Sequence, residues 1–264
     1  MDFVYNFNDK ERKLLNKLKD KKFLFIIGQG GTCSRFVTKL IKKMGVYIGH
    51  DIIVNKEKDS ILFNKYYEKI KKYINNISVN KNKLDFEKKI QKYIMKELLL
   101  FFKEYYEFYD NYSNSTGKKF IYQSIKLNSI VYFIDLLKII IPQCKIIYLK
   151  RDFMYLTKKN ITYGRKYFPL DCSYLAKIIN PNNKLVPVSS TNLQEKMMWR
   201  IYEYEYIIKI AGKNLFIFDT DNYFNNEEIE CRKLHQYLDI YFDKSFINKG
   251  IYLDRERYYK PIHN

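Results

Sequence analysis

Four short apolar runs, Phe23 to Ile27, Phe120 to Tyr122, Ile146 to Leu149 and Leu215 to Phe218, recur along the chain with segments of helical periodicity between them. The helical segments are Arg35 to Met44, Ile61 to Ile74, Phe86 to Phe108, Ile130 to Ile141, Leu193 to Ile210 and Glu227 to Leu238. They place apolar residues three and four positions apart, which builds one buried stripe per helix. Most of the short runs lack strict alternation, as strands buried on both faces do. This order predicts an α/β fold, a P-loop-like three-layer sandwich in which a central parallel sheet is flanked by helices.

With 264 residues, the chain is long enough for one substantial core and short for two, so residues 1–264 read as a single domain. Asn111 to Gly117 and Asn180 to Thr191 are rich in Ser, Asn, Gly or Pro and read as loops. The stretch Leu84 to Asp110, thick with Lys, Glu and Tyr, reads as a surface helix packing one apolar stripe.

The longest apolar runs, such as Leu98 to Phe102 and Leu136 to Ile141, fall well short of the roughly 18 residues a membrane helix needs. The start of the chain has no apolar segment of the secretory kind, so a cytoplasmic location is expected. Four cysteines, at 33, 144, 172 and 231, lie far apart with no C-x-x-C pair. They read as reduced thiols rather than as metal ligands or disulfides. A formal net charge of +19 fits a polyanionic partner, but the lysines are spread along the chain and specify none. No specific nucleic-acid site is read from them.

The most informative junction follows the first apolar run. Gly28-Gln29-Gly30-Gly31-Thr32-Cys33-Ser34-Arg35 links it to the helix ending at Gly45. Glycines let the backbone turn sharply and approach a ligand closely. The helix start offers unpaired N–H groups and the positive end of its dipole, so an anion, above all a phosphate, is the natural occupant. An NTP-binding P-loop needs G-x-x-x-x-G-K-[ST], and here Cys33 stands at the second glycine and Ser34 at the lysine. A Rossmann site needs G-x-G-x-x-G and an acidic residue about 20 positions on. Gly28-x-Gly30 and Asp51 fit that pattern, and Cys33 replaces the third glycine.

The run Ile27 to Gly49 resembles the 5′-phosphosulfate loop of the sulfotransferases that use 3′-phosphoadenylyl sulfate (PAPS). The family's small-Gly-Thr-Thr/Arg core appears here as Thr32-Cys33-Ser34-Arg35, preceded by Gly31 where relatives often carry a basic residue. The strand Lys145 to Lys150 followed by Arg151-Asp152 resembles the family's second signature, with Phe153 in place of proline. In relatives that arginine, and a serine eight residues on, hold the 3′-phosphate. The matching positions here are Arg151 and Lys159, and lysine can meet a phosphate as a point charge. Taken alone, Arg151-Asp152 also fits a surface pair after any buried strand. Lys118 to Lys126 resembles a family strand ending in a lysine near the sulfuryl group, and Trp199 with Asn214 to Asp219 resembles the family's Trp-helix-strand segment. Together these cover roughly residues 22 to 240 in the expected order.

The resemblance implies a carbohydrate-type PAPS-dependent sulfotransferase, acting without a metal on a hydroxyl or amine of a carbohydrate or small molecule. Gly30, Gly31, Thr32, Cys33, Ser34, Arg35, Arg151 and Lys159 would bind PAPS. Lys126 would stabilise charge on the sulfuryl group, with Arg35 as second candidate, though Arg35 equally suits a helix surface. The base for the acceptor's proton would be Asp59 or His50. Asp59 also suits an ordinary helix N-cap, and His50 titrates in a useful range. The segment Asp254 to Lys260 is either a basic clamp on the 3′-phosphate or a charged tail. Two other readings stay open: an NAD(P)-dependent oxidoreductase of Rossmann type, and a non-catalytic protein that binds polyanions on the same fold.

Overall fold

Phe23–Ile27 (β1) has no polar side chain and every residue is fully buried, which suits a strand with neighbours on both edges and helices on both faces. In the computed structural model, which describes residues 5–28, 32–49, 54, 59–77, 83–162, 175, 177–178 and 193–244, without the side chains of 83–86 and 159–162, β1 is the central strand. It pairs in parallel with Tyr122–Lys126 (β3) on one side and Lys145–Lys150 (β4) on the other. Val46–Tyr47 (β2) and Leu215–Asp219 (β5) are the edges, giving an all-parallel sheet of order β2-β3-β1-β4-β5.

Because side chains alternate across a strand, β1 seeds two cores. Phe23, Phe25 and Ile27 face Ile61–Asn76 (α3), Lys83–Thr116 (α4), Ile134–Ile140 (α5) and Leu193–Ala211 (α7). Asp9–Leu18 (α1) adds Leu18 on this side, and Trp199 of α7 is buried here. Leu24 and Ile26 face Ser34–Lys43 (α2), Thr220–Asn225 (α8) and Glu227–Leu238 (α9). Phe153–Thr162 (α6) follows β4. The result is the expected parallel sheet between two helical layers.

Several boundaries differ from expectation for local reasons. β3 runs from Tyr122 to Lys126 rather than ending at Tyr122. Its polar centre is buried: the Ser124 hydroxyl donates to the Tyr47 carbonyl at 2.8 Å, and the main-chain N–H of Gln123 donates to the Lys22 carbonyl at 2.8 Å. Asn111 to Thr116, expected as a loop, continues α4, since Tyr109 and Tyr112 extend its buried stripe onto Tyr47, with ring centres 5.2 and 5.4 Å away. The helix stops at Gly117, which takes a left-handed φ of 65° as helix-ending glycines do. α4 packs one stripe, with Leu98, Phe101, Phe102 and Tyr105, into the core and leaves Lys92, Lys96, Lys103 and Glu107 exposed. α1 was not expected, though its capping box was legible: Asn8 Oδ1 accepts from Glu11 N–H and Glu11 Oε2 from Asn8 N–H. The expected loop Asn180 to Thr191 lies outside the described residues.

Gly28, directly after β1, is needed for space. A Cβ there would lie 2.7 Å from both Cβ and Cδ1 of Leu149 on β4. Gly28→Ala is therefore expected to destabilise the chain by about 1–3 kcal/mol through overpacking. Urea unfolding checks this, and a midpoint equal to the wild type's would mean that β4 gives way without cost.

Candidate active site

In an all-parallel sheet the strand ends and helix starts gather on one edge, and ligands bind in the crevice outside the carboxyl ends. Here that edge carries the loop after β1, Lys126 at the end of β3, and Arg151 just past β4. The register sets Lys126 beside Ile26, and Tyr148 beside Ile27. The ends of β3 and β4, distant in sequence, thus lie on either side of the end of β1.

Thr32 and Cys33 are buried, Ser34 is half-buried and Arg35 is exposed on the first turn of α2. Cys33 is the N-cap of α2, with φ 56° and ψ 31° and no side-chain cap bond. This is the left-handed region that glycine enters freely and other residues enter at a cost of roughly 1–2 kcal/mol. The backbone thus keeps a glycine-type turn while a cysteine occupies it. The Cys33 side chain packs in the core between sheet and α2 with Phe36 and Val37, so it does not stand out from the loop. Cys33→Gly is expected to shift stability by less than about 1 kcal/mol, since relieved strain offsets the lost thiol packing and the looser unfolded chain. Cys33→Val, β-branched at positive φ, is expected to cost roughly 2 kcal/mol or more. Equal unfolding midpoints for the two variants would contradict the strained turn.

Lys126 is buried, and its Nζ lies 3.0 Å from Oδ1 of the half-exposed Asp59. Asp59 does not cap α3. Ser60 does, its hydroxyl accepting from Phe63 N–H at 3.0 Å, and its own N–H donates to the Lys126 carbonyl at 2.8 Å. That backbone bond holds the start of α3 against the end of β3 and so brings Asp59 to Lys126. An ammonium and a carboxylate meet at the mouth of the crevice, the one suited to stabilising developing negative charge and the other to receiving a proton.

Arg151 is not a surface residue: it is fully buried. Its Nε lies 3.3 Å from Asp221 Oδ1, and its guanidinium carbon sits 4.0 Å from the centre of the Tyr155 ring. Asp152 caps α6, its Oδ1 accepting from Tyr155 N–H at 2.6 Å, which accounts for the Arg-Asp pair. Thr220, also fully buried, ties the two loops together. Its hydroxyl lies 3.1 Å from the carbonyl of Thr32 in the first loop and 3.1 Å from that of Lys150 before Arg151. Beside Arg151 opens a cleft of about 550 Å³ whose lining includes Lys150, Phe153, Tyr204, Asp219 and Asp221.

The structure therefore brings together Asp59 with Lys126, and Thr32 with the Arg151 loop. Gly30, Gly31 and His50 lie outside the described residues, as does the segment Asp254 to Lys260. Lys159 is on α6, its side chain outside them. Sequence reasoning missed Tyr155, Thr220 and Asp221. The one available signal was Asp219-Thr-Asp-Asn after a buried strand, an N-cap pattern: Asp219 Oδ1 accepts from the N–H groups of Asp221 and Asn222. Cys144 and Cys231 are buried free thiols, and burial pushes each up to about 11, leaving them protonated and unreactive at neutral pH. Among the described residues no group of three or more His, Cys, Asp or Glu side chains is placed to hold a metal, and no helix is long and apolar enough to cross a membrane.

No family model matches the chain, and no curated protein matches it. Among the solved structures it is similar to in outline are two sulfotransferases. Sulfotransferase STF9 from Mycobacterium avium is 10% identical, with a TM-score of 0.48, over 96% of this chain and 72% of that one. The sulfotransferase domain of the Synechococcus PCC 7002 olefin synthase is 12% identical, with a TM-score of 0.46, over 87% and 77%. Likeness at this level is one of outline alone.

Proposed function

We propose that this chain is a PAPS-dependent sulfotransferase that moves a sulfuryl group to a hydroxyl or amine of a carbohydrate or small-molecule acceptor. The observation that carries this is the meeting, on one sheet edge, of a glycine-type turn at a helix start, the Lys126–Asp59 pair and the buried Arg151. Two cationic or N–H-rich positions flank one crevice and are bolted to each other through Thr220. That suits a ligand with two separate anionic groups.

PAPS supplies an activated sulfuryl group, which leaves its 5′-phosphate as the acceptor attacks in line. The residues here fit such a donor through the α2 N-terminus with Thr32 and Ser34 at its 5′ end, and through Arg151, with Lys159, at its 3′-phosphate. Lys126 neutralises charge gathering on the sulfuryl oxygens and the departing phosphate oxygen, and its burial strengthens that effect. Asp59, held by Lys126, takes the acceptor's proton, with His50 as the other candidate base. Such chemistry is mostly positioning and electrostatics, as in phosphoryl transfer.

The strand order weighs against a Rossmann oxidoreductase. In that fold β2 adjoins β1, so a carboxylate after β2 reaches the ribose lying over β1. Here β3 intervenes, leaving β2 two strand spacings, roughly 10 Å, from β1. Asp51 follows the wrong strand for that role.

Titration with PAP, the desulfated product, tests the proposal. At a hundredfold excess over Kd, binding stabilises the folded chain by about 2.7 kcal/mol, a rise in Tm of roughly 5–10 °C for a chain of this size. No shift with PAP would remove the proposal, and a shift with NAD(P) alone would install the oxidoreductase. Salt-sensitive binding of polyanions without PAP binding would favour the non-catalytic reading.

A further inference from the structure

We infer that Asp221 is a specificity-determining residue that sets how strongly the Arg151 site prefers a nucleotide with a 3′-phosphate over one with a free 3′-hydroxyl. This rests on the nucleotide-binding role proposed above for Arg151. The Asp221 carboxylate bridges two donors: Oδ1 is 3.3 Å from Arg151 Nε, and Oδ2 accepts from Asp152 N–H at 3.2 Å. A guanidinium and a main-chain N–H at a helix start are the pair of donors a phosphate monoester seeks. The carboxylate therefore stands where the oxygens of a 3′-phosphate would stand.

Its hold is loose. Both contacts are longer than the 2.7–2.9 Å of tight charge-assisted bonds. Arg151 is fully buried, whereas the Asp221 side chain is a quarter exposed toward the cleft. Of the two partners, Asp221 is the one with room to turn aside. The rest of the cleft does not favour a dianion: Lys150 is engaged by Asp219 at 3.4 Å, and Asp152 is exposed beside them. Lys150 and Arg151 thus face three carboxylates, Asp152, Asp219 and Asp221. An entering 3′-phosphate must displace Asp221 and meet like charge, whereas a free 3′-hydroxyl can leave Asp221 in place and donate to it.

Calorimetric titration of PAP and of adenosine 5′-phosphate against the wild type, Asp221→Asn and Asp221→Ser tests this. Asparagine keeps the shape and an acceptor for Asp152 N–H but removes the charge. PAP is expected to bind Asp221→Asn roughly tenfold or more tightly than the wild type, with adenosine 5′-phosphate unchanged or weaker, and Asp221→Ser is expected to follow the same direction. An unchanged or reduced ratio of PAP to adenosine 5′-phosphate affinity in both variants overturns the inference while leaving the PAP-binding role intact. Binding of neither nucleotide by the wild type or the variants overturns both.

Discussion

Lys126→Ala is expected to lower the rate of sulfuryl transfer from PAPS by about 10²–10³-fold, the cost of removing one preorganised donor from the charge that develops in the transition state. The side chain is buried at the end of β3 and steered by Asp59 at 3.0 Å, so its charge acts in a medium that screens it poorly. The interaction strengthens as charge leaves the sulfuryl group, so kcat falls while PAP affinity changes by less than about threefold. Release of PAP from PAPS across a panel of hydroxyl and amine acceptors measures the rate, and calorimetry measures the affinity. Because Asp59 is half-exposed, losing its partner leaves a solvated carboxylate rather than a buried lone charge. A rate within threefold of the wild type would exclude Lys126 from the chemistry, and a loss confined to PAP affinity would make it a binding residue only.

The second large effect is expected at Arg151. Arg151→Gln should weaken PAP binding by roughly 10–100-fold, matching the 1.5–3 kcal/mol of a hydrogen bond to a charged group, while adenosine 5′-phosphate binding stays within about threefold. The contrast between the two nucleotides separates a phosphate contact from a general loss of folding. Glutamine retains some side-chain length for packing against Tyr155, which lies 4.0 Å from the guanidinium. Equal weakening of both nucleotides would mean that Arg151 shapes the site without touching the 3′-phosphate. Stronger PAP binding would place the phosphate elsewhere.

Much of the scaffold could be read from local chemistry. The apolar runs at Phe23 to Ile27 and Ile146 to Leu149 became central strands because they offer apolar groups to both faces, with one hydroxyl, that of Tyr148, paired to Glu203. The apolar run at Phe120 to Tyr122 stops at the polar Gln123 and Ser124, although the family resemblance carries a strand on to Lys126, and the Ser124 hydroxyl meets its partner only in the Tyr47 carbonyl, distant in sequence. The two-residue β2 carries no periodicity to read. At the site, Lys126 and Arg151 were visible as cations closing strands, but their acidic partners, Asp59 and Asp221, were not linked to them by any spacing.

Sequence by itself therefore determined that a parallel sheet would form and that a glycine-bearing segment would follow its first strand, because burial, strand propensity and glycine content are local properties. It also located the cations that follow the strands. Tertiary structure alone decided that Cys33 would hold a glycine's backbone while turning its side chain into the core. It decided too that Thr220 would reach the carbonyl of Thr32, 188 positions away, as well as that of Lys150, and that a carboxylate would sit on Arg151. Those outcomes depend on which strand ends the sheet order makes neighbours, and no window along the chain contains that order.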